Sequence, residues 1–466
     1  MPVDDVLEAL SARHEQTLKS LIGFASIPSV STNPAHAGDI QAAANWVKDR
    51  LSEAGALEPR LIATSGNPIV YAEWLGAPGK ATVLVYGHYD VQPEDPLEKW
   101  HSPPFAPTIR DGRLYARGVS DDKGPMLIPI AVANAFFSTR EALPLNVKFM
   151  FEGEEEIGSP SLEAFIRDNQ ELLAADFVIS ADGAMWRINE PSLTVASRGL
   201  AGLEFTLTGA SKDLHSGRHG GAVANPLHAM AEIIRTLHDA RGRVAVPGFY
   251  DRVEELTYED RLNIAQLPFE ESAYLDQVGA SAPFGESGYT TLERQWIRPT
   301  LEVNGMWGGY QGPGSKTVIP SEAHAKITCR LVPNQDPNEI VALVTQHLQS
   351  HVPAGTRIAI TPGDHGSRAA HIPTDHYALK AAEEALQDAY GVKPLVVRMG
   401  GTVPISELFQ RLMGLETVFF SFSTADEDYH APNEFFRIHR LHEGLEAWAR
   451  YWEILGTLTP QPHPSR

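Results

Sequence analysis

Apolar residues form short runs in two regions of the chain and alternate with polar residues in the region between them. The mainly apolar runs of strand length are Ala81–Tyr86, Leu145–Phe151 (with Asn146 and Lys148 as exceptions), Phe177–Ser180 and Thr417–Phe422. Runs of this kind are typical of parallel strands that are buried on both faces. Segments with helical spacing separate them, so the pattern predicts an α/β fold with a mostly parallel twisted sheet and helices on both faces.

The region between these runs has the pattern of a sheet that is covered on one face only. In Ala323–Val332, Ala325, Ile327 and Cys329 alternate with polar residues, as is usual for antiparallel strands with one solvated face. The order of strand and helix patterns predicts a ferredoxin-like β-α-β-β-α-β unit. Its predicted elements are Gly202–Thr208, Asn225–Leu237, Pro299–Val303, Ala323–Val332, Pro337–Leu348 and Thr356–Thr361.

A chain of 466 residues is too long for one ordinary core. We therefore predict a discontinuous α/β domain of residues 1–198 and 364–466, which carries an inserted α+β domain of residues 199–363. The long segment Tyr250–Trp296 inside the inserted domain has a mixed pattern. The sequence assigns no role to it.

Each of the four mainly apolar runs leads into side chains that can bind metals. These side chains are His88, Glu155 and Glu156, Asp182, and His430. In open α/β sheets, ligands bind outside the carboxyl ends of the strands. Imidazole and carboxylate groups together suit Zn²⁺ or Mn²⁺, so we expect a metal site at this edge of the sheet.

The number of ligands favours two metal ions over one, since a pair of ions needs a bridging carboxylate. Asp121 opens the helix that follows the first strand and is the predicted bridge. We expect His88, Asp121 and Asp182 to bind one ion. We expect Asp121, Glu156 and His430 to bind the other.

Two carboxylates remain for other roles. Glu155 is adjacent to Glu156 and cannot face the same ion, so we expect it to act as the general base. Asp90 projects to the same side as His88 and is expected to orient its imidazole. The neighbouring acids Asp122 and Glu154 are expected to be capping or solvated groups.

Charge and composition restrict the partners and the compartment. A net charge of −21 argues against nucleic acid and anionic membranes as partners. Cys329 is the single cysteine, which excludes an intrachain disulfide and a cysteine-based zinc site. No apolar run reaches the roughly 18 residues of a membrane span. The N-terminus has acidic residues where a signal peptide needs basic ones, so we expect a cytoplasmic protein.

Five motifs resemble one enzyme family in their order along nearly the whole chain. They are GHYDVQP at Gly87–Pro93, RGVSDDKGP at Arg117–Pro125, GEEEIGS at Gly153–Ser159, ISADG at Ile179–Gly183, and the late His430. The chain is similar to the zinc metallopeptidase family that includes carnosinase-type dipeptidases, glutamate carboxypeptidase, aminoacylase and succinyl-diaminopimelate desuccinylase. The resemblance implies an aminopeptidase-like catalytic domain and two divalent ions (Zn, or Mn or Co) on the ligands named above. It also implies Glu155 as base and an inserted domain that forms a homodimer.

The inserted domain resembles the dipeptidase branch in particular. The motif Asp213–Gly217 implies that His215 reaches the active site of the partner subunit and polarises the scissile carbonyl. The motifs Lys316–Pro320, Arg330–Pro333 and Gly400–Pro404 imply that the substrate is held by Thr317, Arg330, Gly401 and Thr402. The last motif departs from the family at Thr402, where serine is usual, and at Met399, where glutamate is usual.

The sequence therefore predicts a hydrolase that cleaves dipeptides or short peptides with a free C-terminal carboxylate, by a metal-bridging hydroxide with Glu155 as general base. An N-acyl-amino-acid amidohydrolase, a desuccinylase or a carboxypeptidase on the same scaffold is an alternative. A metal-binding interaction protein without catalysis is a remote alternative, against which the unligated Glu155 argues.

Overall fold

The computed structural model describes residues 3–53, 55–363 and 366–459. The chain forms two compact units. One comprises Met1–Val195, Ile372–Val397 and Leu408–Arg466, and the other comprises Ala196–His371 and Arg398–Glu407. Residue 364, at which the predicted first domain resumes after the insertion, lies outside the described residues. The catalytic and dimerising roles of the predicted domains stay a prediction.

The first unit is built on a six-stranded sheet, and its four strands on one side run parallel to one another. At the other edge, Ile69–Trp74 is antiparallel to both of its neighbours, Arg60–Ile62 and Asn146–Glu152. In order across the sheet, the strands are Arg60–Ile62, Ile69–Trp74, Asn146–Glu152, Thr82–His88, Phe177–Ser180 and Thr417–Phe419. This arrangement confirms the predicted mostly parallel α/β fold.

Helices cover both faces of this sheet. Val83, Leu84, Val85 and Tyr86 are all fully buried, and successive side chains of a strand point to opposite faces. The helices of this unit are Asp4–Ala12, His14–Ala25, Ala37–Ser52, Gly124–Arg140, Leu162–Asp168, Gln170–Leu173, Tyr377–Tyr390 and Ile438–Thr457, and a further helix comprises Pro404–Met413. Smaller sheets pair Phe435–Arg437 with Arg113–Tyr115 and Thr108–Arg110, and Leu395–Val397 with Ser192–Thr194.

The second unit contains an antiparallel sheet of four strands. Their order across the sheet is Thr300–Gly308, Glu322–Leu331, Gly199–Thr208 and Arg357–Pro362. Buried and accessible residues alternate along Glu322–Leu331, and the helices Pro226–Thr236 and Pro337–Ser350 pack on the sheet. This strand order confirms the ferredoxin-like prediction. A short ribbon pairs Leu214–His215 with Val318–Ile319.

The segment Tyr250–Trp296, to which no role could be assigned from the sequence, contains three helices. They are Tyr258–Ala265, Glu271–Val278 and Thr291–Trp296. The first and third begin with capping boxes, in which Thr257 and Thr290 bond reciprocally with residues three positions later. Along the part of the chain that the structure describes, no helix has the length and apolar character needed to cross a membrane.

Candidate metal centre

Three neighbouring strands deliver metal-binding side chains to one edge of the large sheet. Thr82–His88 lies between Asn146–Glu152 and Phe177–Ser180 and is parallel to both. His88 is the last residue of its strand, and Asp182 follows the end of its own strand by two residues. Because parallel strands end at the same edge, these side chains converge there.

Asp121 reaches this edge on a turn that precedes the helix Gly124–Arg140. The buried carboxylate of Glu434 holds the turn. One of its oxygens accepts hydrogen bonds from the backbone N–H groups of Ser120 (2.9 Å) and Asp121 (3.2 Å). The other oxygen accepts from the Gly118 N–H (2.8 Å) and the Arg117 guanidinium (2.7 Å).

Gly118 is required at the start of the turn for two reasons. Its φ of +76° lies in the left-handed region, which favours glycine. In addition, a Cβ at this position would lie 2.0 Å from the side chain of Val91. The position of Asp121 therefore depends on backbone geometry as well as on hydrogen bonds.

The two carboxylate oxygens of Asp121 face different histidines. Oδ1 lies 3.0 Å from Nε2 of His88, and Oδ2 lies 2.9 Å from Nε2 of His430. The same His430 nitrogen lies 3.2 Å from Oε2 of Glu156. One ligand atom from each of His88, Asp121 and Asp182 lies within 4.8 Å of the others, and so does one from each of Asp121, Glu156 and His430.

These two clusters are the two ligand sets that the sequence analysis proposed. Asp121 belongs to both of them, as a bridging carboxylate would. The assignment of individual residues to individual ions stays a prediction. Imidazole nitrogens and carboxylate oxygens are the donors that divalent transition metals and zinc bind, so the side chains fit such a cation.

The electrostatics of the cluster also favour a bound cation. Burial alone would lower the pKa of His88, but the carboxylates of Asp121 and Asp90 raise it well above its ordinary range. Hydrogen bonds to Asp121 and Glu156 raise the pKa of His430 to about 10. Burial raises the pKa of Asp182 to about 6, and His88 opposes this shift whereas the charge of Asp121 reinforces it. Negative charge is therefore concentrated here, and a cation would stabilise it.

Asp90 is fully buried and orients more of the site than the sequence predicted. Its Oδ1 lies 3.4 Å from Nδ1 of His88, and its backbone carbonyl lies 3.1 Å from the same nitrogen. Its two carboxylate oxygens also accept hydrogen bonds from the N–H groups of Glu155 (3.2 Å) and Glu156 (3.1 Å). The Asp90 carboxylate thus links the strand end at His88 to the turn that carries Glu155 and Glu156.

The Glu155 carboxylate differs from its neighbours because it has no hydrogen-bond partner within the described residues. Glu156, by contrast, accepts a bond of 2.8 Å from Gln92 and contacts His430. Burial raises the pKa of Glu155 well above its ordinary value, and the charge of Asp182 adds to this shift while His88 opposes it. A half-buried carboxyl group with a raised pKa and no hydrogen-bond partner has the properties of a general base.

The expectation that Asp122 and Glu154 are capping or solvated groups was wrong. Both are buried. Asp122 accepts a hydrogen bond from the His88 N–H (3.2 Å), and Glu154 accepts bonds from the N–H groups of Asn67 (3.0 Å) and Ser161 (3.2 Å). Backbone donors bind both oxygens of Glu154 but only one oxygen of Asp122, whose Oδ1 is buried without a hydrogen-bond partner.

Sequence reasoning also missed two buried acids that support the Asp121 turn. Glu434 was described above, and Glu427 accepts a hydrogen bond of 2.6 Å from the Ser120 hydroxyl. Glu427 also pairs with Arg437 at 3.1 Å. For Glu434, a local signal was the buried apolar pair Phe435-Phe436 that directly follows it.

The remaining predicted residues lie in the second unit, in two groups. His215 lies on the short ribbon and Thr317 directly precedes its second strand, and both are exposed. Nδ1 of His215 accepts a hydrogen bond from the Gly217 N–H (3.0 Å). Arg330 donates a hydrogen bond of 2.8 Å to the Thr402 hydroxyl. The Gly401 carbonyl accepts a bond from the backbone N–H of Arg198 (2.8 Å).

Comparison with known proteins places the chain in a family. The family model described as Peptidase family M20/M25/M40 matches residues 84–454. The Cys-Gly metallodipeptidase dug1 of Schizosaccharomyces pombe is 30% identical over 475 residues, covering 99% of this chain and 100% of that protein. The Beta-Ala-His dipeptidase of Homo sapiens is 30% identical over 392 residues, covering 83% of this chain and 77% of that protein.

A solved structure agrees with these matches. The M20 family metallo-carboxypeptidase Sso-CP2 from Sulfolobus solfataricus superposes with a TM-score of 0.81 and 35% identity, covering 95% of this chain and 99% of that chain. These comparisons confirm the resemblance that the five motifs indicated. The chain is therefore a metallopeptidase that belongs to peptidase family M20/M25/M40.

Proposed function

We propose that the protein hydrolyses the amide bond of dipeptides that have a free C-terminal carboxylate. The observation that carries the proposal is the position of Asp121 between two histidines, one in each ligand cluster. Two curated relatives that match most of the chain are named as dipeptidases, one for Cys-Gly and one for Beta-Ala-His. Their names support a dipeptide substrate.

The proposed site holds two divalent ions. Zinc is the proposed metal, and manganese and cobalt are the alternatives. His88, Asp121 and Asp182 would hold one ion, and Asp121, Glu156 and His430 the other. Bound divalent cations would polarise the scissile carbonyl and lower the pKa of water. Glu155 would take up the proton released in the attack and deliver it to the leaving amine. Asp90 would fix the orientation of His88.

The second unit would supply the groups that hold the substrate. Arg330 would bind the C-terminal carboxylate, because a guanidinium fork matches a carboxylate. Thr317, Gly401 and Thr402 would add hydrogen bonds to the substrate. His215 would stabilise the oxygen that becomes negatively charged in the transition state. In this proposal the protein is a cytoplasmic homodimer, and His215 acts on the active site of its partner.

The proposal is tested on metal-depleted protein that is reloaded with Zn²⁺, Mn²⁺ or Co²⁺ separately. Free dipeptides, the same dipeptides with an acetylated N-terminus, and longer peptides would be offered to each form. We expect free dipeptides to give the highest kcat/KM with at least one metal. Faster cleavage of the acetylated series would replace the proposal with an N-acyl-amino-acid amidohydrolase.

A carboxypeptidase is the second candidate function. It is favoured by the match to Sso-CP2, which is named as a metallo-carboxypeptidase and is 35% identical to this chain. The two candidates differ in how they treat longer substrates. A carboxypeptidase releases the C-terminal residue from a tetrapeptide with a kcat/KM similar to that for a dipeptide, whereas a dipeptidase cleaves the tetrapeptide slowly or not at all.

A further inference from the structure

The second unit contains a cavity of about 580 Å³. Most of the residues that line it have no role in the proposed mechanism. The cavity lies between the polar face of the four-stranded sheet and the helical segment Tyr250–Trp296. The sheet side contributes Thr300, Glu302, Thr328 and Arg330. Arg198, just before the strand Gly199–Thr208, also lines the cavity.

Two of the arginines that line this cavity are fully engaged in holding the helical segment. Arg298 forms a two-point ion pair with Glu286, with both nitrogen–oxygen distances at 2.9 Å. Arg294 donates hydrogen bonds of 3.0 Å to the backbone carbonyls of Glu286 and Phe284. These two guanidinium groups therefore have structural roles.

Arg198 and Arg330 do not hold the helical segment, and like Arg294 they have no acidic partner among the described residues. Nε of Arg198 donates to the Gly400 carbonyl (2.8 Å), but its buried Nη1 has no hydrogen-bond partner. Arg330 donates to the Thr402 hydroxyl. Within the described residues, no carboxylate forms an ion pair with either guanidinium.

The two unpaired charges act on each other. Burial lowers the pKa of Arg198 to about 10, the charge of Arg330 acts in the same direction, and Glu302 opposes them. Glu302 is exposed and does not pair with either arginine. Two partly desolvated cations in one cavity are unfavourable, and anions that bind there would relieve the repulsion.

We propose that Arg198 recognises an acidic side chain on the C-terminal residue of the substrate, so that dipeptides ending in Asp or Glu are preferred. This inference rests on the proposed function, in which Arg330 binds the C-terminal carboxylate. One carboxylate is satisfied by one guanidinium fork, so it leaves the second positive charge unbalanced. A second carboxylate on the same residue supplies the missing charge and a partner for the orphaned Nη1 of Arg198.

The first test compares Ala-Glu with Ala-Gln, which have nearly the same shape and differ in charge. Wild-type protein should have a kcat/KM for Ala-Glu about 10- to 100-fold higher than for Ala-Gln, because a charge-assisted hydrogen bond in a buried site is strong. Arg198→Met should bring this ratio close to one, and Arg198→Lys should retain part of it. The matched control is Arg294→Met, which removes a cavity arginine with backbone partners and should leave the ratio unchanged.

The second test measures binding without catalysis. Calorimetric titration of the metal-loaded, full-length protein with L-glutamate and L-glutamine compares two ligands that offer the same α-amino and α-carboxylate groups. Wild-type protein should bind L-glutamate at least about 10-fold more tightly, and Arg198→Met should remove the difference.

The outcomes separate the two proposals. Equal kcat/KM of wild-type protein for Ala-Glu and Ala-Gln, or an equal loss for both in Arg198→Met, would overturn the acidic preference while the dipeptidase function stands. If no dipeptide is cleaved but L-glutamate binding still depends on Arg198, the dipeptidase proposal fails and the anion site stands. Thermal unfolding of each variant shows whether it is folded.

Discussion

At the scale of single residues, Asp121 is the carboxylate that belongs to both ligand clusters. Each of its oxygens lies about one hydrogen-bond length from a different histidine, 3.0 Å from His88 and 2.9 Å from His430. Asp182 and Glu156 each belong to one ligand cluster only. Removal of Asp121 should therefore affect both clusters, whereas removal of Asp182 or Glu156 should affect one.

Asp121→Ala is expected to lower the metal content from two ions per chain toward none and to abolish hydrolysis, since both ions would share this carboxylate. Metal content per chain is measured on dialysed protein by elemental analysis. Asp182→Ala serves as the control and should retain about one ion per chain. Two ions bound at wild-type affinity in Asp121→Ala would contradict the bridging role.

Glu155→Gln is expected to retain both ions but to lower kcat by about 10²- to 10⁴-fold, because the amide cannot accept the proton. The neighbouring variant Glu156→Gln tests the opposite outcome, since its carboxylate contacts His430 at 3.2 Å. It should lose metal. If Glu155→Gln loses metal while Glu156→Gln keeps it, the roles of the two residues have been exchanged.

At the scale of elements, the short turn before the helix Gly124–Arg140 depends on a distant acid. Glu434 accepts four hydrogen bonds there, from Arg117 and from the N–H groups of Gly118, Ser120 and Asp121. It is 1% exposed. Val119 anchors the turn in the hydrophobic core, and the Glu434 carboxylate fixes the backbone N–H groups of Ser120 and Asp121.

Glu434→Gln is expected to destabilise the protein by about 3 kcal/mol, because the amide leaves the buried Arg117 without a charged partner. Metal affinity should also fall, by about 10- to 100-fold, as is usual when a group that orients a ligand is lost. Denaturant unfolding and metal titration measure the two effects. The variant Glu446→Gln, which loses a partly exposed pair with Arg450, should change stability by less than about 1 kcal/mol.

A double variant separates position from stability in this turn. Arg117→Met with Glu434→Gln removes the unpaired charge and should recover part of the stability. It should not recover metal affinity, because the backbone donors of Ser120 and Asp121 still lack the carboxylate. Full recovery of both properties would mean that Glu434 serves only to neutralise Arg117.

The contacts that hold this turn could not be predicted from the sequence, although the strand ends around it could. His88, Asp182 and the acidic turn could be placed because each follows a buried strand directly, and parallel strands end at a common edge. Arg117 and Glu434, by contrast, are 317 positions apart, and no local pattern connects them. The helices Tyr258–Ala265 and Glu271–Val278 were missed because most of their residues are exposed, so no periodic apolar stripe indicates them. The helix Thr291–Trp296 is only six residues long, which is too short to show a helical period.

At the scale of the whole molecule, the proposed chemistry requires residues from both units. The ligand clusters and Glu155 belong to the first unit, whereas His215 and Arg330 belong to the second. His215 is exposed, and the hydrogen bond from the Gly217 N–H to its Nδ1 leaves Nε2 available. The proposal that His215 acts on the partner's active site makes catalysis a property of the dimer, and this can be tested with two inactive variants.

Glu155→Gln and His215→Ala should each be nearly inactive as homodimers. An oxyanion donor is worth about 10²- to 10³-fold in kcat, and metal content should be unchanged in His215→Ala. When the two variants are mixed under subunit exchange, each mixed dimer has one site with both lesions and one site with neither. Half of the dimers are mixed at random pairing, so about a quarter of wild-type activity should return. If activity stays absent although mass spectrometry proves exchange, His215 acts within its own chain or outside catalysis.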